Sequence, residues 1–133
     1  MRKELEDKLA RRWPAWFDLD ADSIASAMAR GFECGDGWFN IIWRLCSDLE
    51  PLVAELERET GVRFSVVQVK QKFGTLRFYV SHHTDAIDER IEGAELDALR
   101  TCEVCGRPGT QRGTYGPVAC AEHADPEQRK STH

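Results

Sequence analysis

Cys102, Cys105, Cys120 and His123 are the residues whose types and spacing announce a chemistry. In Cys102-Glu-Val-Cys105 a spacing of two lets both sulfurs converge on one ion, and Gly106 permits the tight backbone after them. Cys120-Ala-Glu-His123 repeats that geometry with one sulfur and one imidazole. The resulting C-x2-C-x14-C-x2-H pattern is a Cys3His set, which suits tetrahedral Zn2+. With all four positions supplied by protein, the pattern predicts one structural zinc per chain. A hydrolytic zinc needs a position left open for water. Glu103 and Glu122, beside the ligands, read as solvated residues rather than general bases.

The segment between the pairs, Arg107 to Val118, is dense in glycine and proline, which predicts a short irregular hairpin. It holds few apolar residues, so metal must stand in for a core there. Cys120 and His123 are expected to open a short final helix, giving a unit over 101–126 that resembles a treble clef or zinc ribbon. Residues 127–133 read as a disordered tail. The chain has five cysteines, an odd number, and three of them sit in this cluster, which in a reducing compartment favours metal over disulfides. Cys34 and Cys46 read as small buried residues or loop thiols.

A body over 1–100 must carry this unit. Residues 2–12 are strong helix formers that stop before Trp13-Pro14. Asp20 or Asp22 is placed to cap a second helix over about 22–30, running through Ile24 and Met28 to Gly31. Gly31-Phe-Glu-Cys-Gly-Asp-Gly-Trp38 reads as a tightly turned loop, with Asp36 as a cap for the long helix after it. From 38 to 60, Ile41, Ile42, Leu45, Leu49, Leu52, Val53 and Leu56 trace a helical stripe, in which Pro51 marks a kink or a second start.

After Gly61 the β-branched and aromatic texture of Val62–Val69 and Leu76–Val80 predicts an antiparallel hairpin over about 62–81, joined by Lys70–Thr75. Residues 84–100 return to helix, with Ile87, Ile91, Ala94 and Ala98 on one face and Thr84 or Asp85 as cap. Two strands alone are marginal in water, so the hairpin must pack on the helices. The class is α+β, a helical body on a β-hairpin with a zinc element behind it.

A net charge of -5 and a pI near 5.4 argue against whole-surface attraction to nucleic acid. Locally the sign reverses. No acidic residue falls between Val62 and Ser81, where Lys70, Lys72 and Arg77 interleave with Phe73 and Tyr79. The bland reading of such charges is protection of a sheet edge. His82-His83 read as loop residues. No stretch is apolar enough to span a bilayer, and no apolar run comes after the first basic residues, so a cytoplasmic protein is expected.

GFECGDGWF, VVQVKQKFGTLRFYV, AELDALRTCEVCGRPG and VACAEH together resemble a family of small, largely uncharacterised proteins of bacteria and their phages. The resemblance spans residues 31–123. It implies a small cytosolic α+β protein with a C-terminal zinc-binding element, and the phage association suggests a protein that binds a host factor. An HNH nuclease also uses paired cysteines, but its histidine-bearing ββα centre has no counterpart between Cys105 and Cys120.

The first functional expectation is therefore a non-enzymatic, zinc-stabilised adaptor or inhibitor that binds another protein, with Trp38, Trp43 and Tyr79 read either as aromatic anchors or as core residues. The second is a nucleic-acid-binding regulator using Lys70, Lys72, Arg77, Arg107 and Arg112. An enzyme comes third, because no catalytic constellation stands out.

Overall fold

A run of helix formers with Leu5 and Leu9 on one side is enough to specify α1 (Lys3–Arg12), which buries Leu9 and stops at Trp13. The structure is a computed structural model that describes residues 1–18 and 27–124. After α1 come 3-10 turns over Ala27–Arg30 and Asp36–Trp38, then α2 (Phe39–Thr60), β1 (Val66–Lys72) and β2 (Thr75–Val80). They are succeeded by α3 (Asp85–Ala98), β3 (Thr110–Gln111) and β4 (Val118–Ala119). This is the α+β class expected. Of the helix expected over 22–30, only the 3-10 turn from Ala27 is described. Asp20, Asp22, Ile24, residues 125–126 and the tail 127–133 lie outside the described residues.

α2 runs unbroken through Pro51. A proline inside a helix costs about 3 kcal/mol. Ile42, Leu45, Leu49 and Val53 are all buried on one stripe, and each contributes about 1.5–3 kcal/mol, so packing outweighs the missing donor. Asp36 does not cap this helix. Its carboxylate accepts from the Arg2 N–H at 2.7 Å and pairs with the Arg2 guanidinium at 2.8 Å. α3 begins as expected: the Thr84 hydroxyl accepts from the Ile87 N–H at 3.1 Å, and Ile87, Ile91, Ala94 and Ala98 are buried.

β1 and β2 are antiparallel, with Lys72 opposite Thr75, Lys70 opposite Arg77 and Gln68 opposite Tyr79. The connection is a two-residue turn, Phe73-Gly74, and not the longer Lys70–Thr75 loop expected from sequence. Both turn residues have positive φ, 54° and 79°, the backbone that matches the twist of a tight hairpin. Val66, Val69, Leu76, Phe78 and Val80 point into the core shared with α2 and α3. The far edge of β1 is covered in part by Glu33, whose N–H donates to Val69 O at 3.0 Å while its carbonyl accepts from Gln71 N at 2.9 Å. No helix among the described residues is long and apolar enough to cross a membrane.

Candidate metal centre

Cys102 through Gly106 turn back on themselves: the Gly106 N–H donates to Cys102 O at 2.9 Å, and the Cys102 N–H donates to Arg107 O at 2.7 Å. The short β3–β4 ladder then returns the chain, so that Cys120 and His123 face the first pair. Cys120 to Ala124 forms a turn, closed by the His123 N–H on Cys120 O at 3.1 Å. The final helix expected there is not present within the described residues.

The four ligand atoms lie within 4.8 Å of one another. Cys105 Sγ is 3.7 Å from Cys120 Sγ, Cys102 Sγ is 3.7 Å from His123 Nδ1, and Cys120 Sγ is 3.1 Å from the same nitrogen. A tetrahedral ion with metal–sulfur bonds of about 2.3 Å sets sulfur–sulfur edges of about 3.8 Å. The cluster is thus a group of side chains able to hold a metal ion. All five cysteines are free thiols.

Electrostatics point the same way. Backbone N–H groups of Val104, Cys105 and Cys120 aim at the Cys102 sulfur, that of Arg107 at Cys105, and those of Glu122 and His123 at Cys120. Burial raises the Cys102 thiol, but these donors outweigh it and bring it down to about 6. Cys120 is lowered too, its burial outweighed by His123 and the backbone donors. For Cys105 the Arg107 N–H works downward, yet burial and the two facing sulfurs leave the thiol raised. His123 is raised by the sulfurs of Cys120 and Cys102. Three thiols this close cannot all ionise without a cation among them, and a coordinated cation deprotonates them outright.

The cluster is joined to the body at two places that the sequence did not signal. At the first, the Gly37 N–H donates to Glu103 O at 2.7 Å, the Gly35 N–H to the Glu103 carboxylate at 2.8 Å, and the Trp38 indole N–H to Thr101 O at 2.9 Å. A Cβ at Gly37 would fall onto the carbonyls of Cys102 and Glu103, and one at Gly35 onto Glu103. Here glycine is needed for close approach rather than for a turn. Glu103 is therefore not the solvated residue expected. Burial pushes its carboxyl up, against the Gly35 N–H and the Met1 amino group.

The second junction is the tip of the β1–β2 hairpin. The Gln111 side-chain amide donates to Phe73 O at 2.9 Å and to Gly116 O at 3.3 Å, and the Phe73 and Tyr115 rings are 5.5 Å apart. Gly74 lies against the Gly116 carbonyl, where any side chain would collide.

The other residues singled out by sequence fall in different places. Trp38 is 0% exposed and belongs to the core, so it offers no surface to a partner. Trp43 is half-buried, 4.8 Å edge-on from Trp13 and 5.8 Å from Phe39. Tyr79 is exposed. Arg112 is buried, its guanidinium donating twice to Ala119 O at 2.9 and 3.2 Å, which removes it from any surface charge set. Arg107 is exposed and pairs with Glu122 at 3.5 Å. Lys70, Lys72 and Arg77 share the outer face of the hairpin. Cys34 and Cys46 are buried, and burial pushes the Cys34 thiol up to about 12 and that of Cys46 higher still. His82 Nδ1 meets the Ser81 hydroxyl at 2.8 Å, and His83 Nδ1 meets Asp88 at 2.7 Å, both exposed pairs.

No family model, no curated protein and no solved structure matches this chain.

Proposed function

We propose that this chain is a non-enzymatic binding module whose fold is closed by one structural Zn2+ on Cys102, Cys105, Cys120 and His123. The observation that carries this reading is the ligand count. Three sulfurs and one imidazole nitrogen lie within 4.8 Å of one another, with the Cys105–Cys120 and Cys102–His123 separations at 3.7 Å, and structural zinc sites take all four ligands from protein in this way. A knuckle at Cys102–Gly106, the β3–β4 ladder and the Cys120–His123 turn make the unit treble-clef-like, acting in the cytoplasm. Metal fixes the knuckle, and the knuckle in turn is seated on Gly35, Gly37 and Trp38, so binding free energy becomes folding free energy for the whole loop system.

With Trp38 in the core and Trp43 half-buried among aromatics, Tyr79 is the most exposed of the three expected anchors. The recognising surface is accordingly the outer face of the hairpin, where Tyr79 stands with Lys70 and Arg77. Cobalt substitution tests the structural role. Co2+ in this site gives the absorption of a four-coordinate ion with three sulfur ligands and one nitrogen, and added cyanide or azide leaves it unchanged. A spectrum that responds to those ligands shows an open position and overturns the reading.

A further inference from the structure

Two stretches of this acidic protein contain no acidic residue: Val62 through Ser81, and Val104 through Ala121. They are far apart in sequence, yet the fold joins them end to end. Gln111 holds the hairpin tip through Phe73 O, and the Tyr115 ring stands against Phe73. The outcome is one continuous strip. At its zinc-element end are Tyr115 and Phe73, 71% and 57% exposed; at its other end, six residues or roughly 20 Å along the strand direction, is Tyr79, 42% exposed.

Between the rings lie the cations. Lys72 Nζ is 5.7 Å from the centre of the Phe73 ring, and Lys70 Nζ is 6.0 Å from that of Tyr79. Lys70 sits directly opposite Arg77 across the ladder. Like charges so placed destabilise a hairpin, and Arg77 is met by the Thr75 hydroxyl at 3.0 Å and by Glu95 of α3. Acid meets the strip at its margins: Glu33 reaches Gln68 at one side, and Glu95 of α3 faces Arg77 at the other. Edge protection alone explains isolated lysines. It does not explain three exposed rings interleaved with them.

We infer that this strip, running from Tyr115 and Phe73 past Lys72, Lys70 and Arg77 to Tyr79, binds single-stranded nucleic acid, with the cations on phosphates and the rings stacked on bases. Alternation of charge and ring along one face is the arrangement by which single strands are held without sequence readout. Phe73, Tyr79 and Tyr115 are exposed, and stacking on such rings needs unpaired bases, so the contact is made to an unpaired strand rather than in the groove of a duplex. The inference rests on the binding-module reading and names its partner class.

The test is fluorescence anisotropy of labelled oligo-dT and oligo-U, about fifteen nucleotides long, with the zinc-loaded full chain. Binding is expected at low salt, with a log–log salt slope of about −2 for three phosphate contacts. K70E/K72E should weaken it by about tenfold or more and flatten the slope. Tyr79→Ala and Tyr115→Ala should each weaken it by about fivefold or more at unchanged slope, and Tyr79→Phe should restore it. Equal binding to duplex, or competition by poly-glutamate as effective as by the oligonucleotide, overturns the inference, the latter in favour of an acidic protein segment. So does an absence of binding by a sample shown by elemental analysis to carry zinc. Metal-free sample that is nonetheless folded overturns instead the structural-zinc reading of the site.

Discussion

The indole N–H of Trp38 donates to the backbone carbonyl of Thr101, 63 positions away, at 2.9 Å. Trp38 opens α2 and Thr101 immediately precedes the first metal-site cysteine, so this bond ties the start of the long helix to the cluster. Trp38→Phe keeps most of the buried ring but leaves that carbonyl without its partner. The expected cost is about 1–3 kcal/mol, read as a lower urea midpoint at unchanged slope. A change below about 0.5 kcal/mol means that the bond does not hold the cluster to the body.

Glycines distinguish close approach from mere flexibility. Gly37→Ala pushes a methyl group into the Cys102 and Glu103 carbonyls. It should destabilise by about 1–3 kcal/mol and also weaken metal retention against a chelator, by about tenfold, because the knuckle loses its seat. Gly93→Ala is the contrasting substitution. Gly93 lies inside α3 with nothing near the added Cβ, and the change should stabilise by about 0.5–1 kcal/mol. Equal effects from the two would contradict the packing described.

What is legible in the residues depends on the range of each interaction. The ligand set is legible because spacings of two within each pair are local geometry, and α3 because Thr84 and its four-residue apolar stripe are local too. Gly35 and Gly37 read as loop glycines, but not as the seat of Glu103, since that contact spans 68 residues and carries no periodic signal. Trp38 looks like an anchor because a sequence does not show which side of an aromatic is covered. Arg112 looks like surface charge for the same reason, whereas its guanidinium is bonded to Ala119 O. The tight turn escapes notice because Phe73 takes a positive φ that phenylalanine seldom adopts; Gly116 and Gln111, packed against it, hold it there.

Cys34 gives stability a dependence on alkaline pH. Burial, with Glu103 adding to it, holds its thiol at about 12 against 9.0 for a free one. On raising the pH the unfolded chain therefore releases this proton first, and the native state is progressively disfavoured. The contribution is complete below pH about 9 and is lost between about 9 and about 12, amounting to a few kcal/mol at the upper end. Urea unfolding across that range should show Cys34→Ala losing less stability than the wild type. Parallel curves for the two proteins would mean that the thiol ionises freely in the native state.

The central claim is that Cys102, Cys105, Cys120 and His123 hold one zinc that completes the fold. Native mass spectrometry with elemental analysis, on protein purified without added metal, tests it most directly. The account predicts one zinc per chain, lost in Cys102→Ser and in Cys120→Ser together with a marked fall in thermal stability. Wild-type chain that is free of metal and melts at the same temperature with and without added zinc would contradict it.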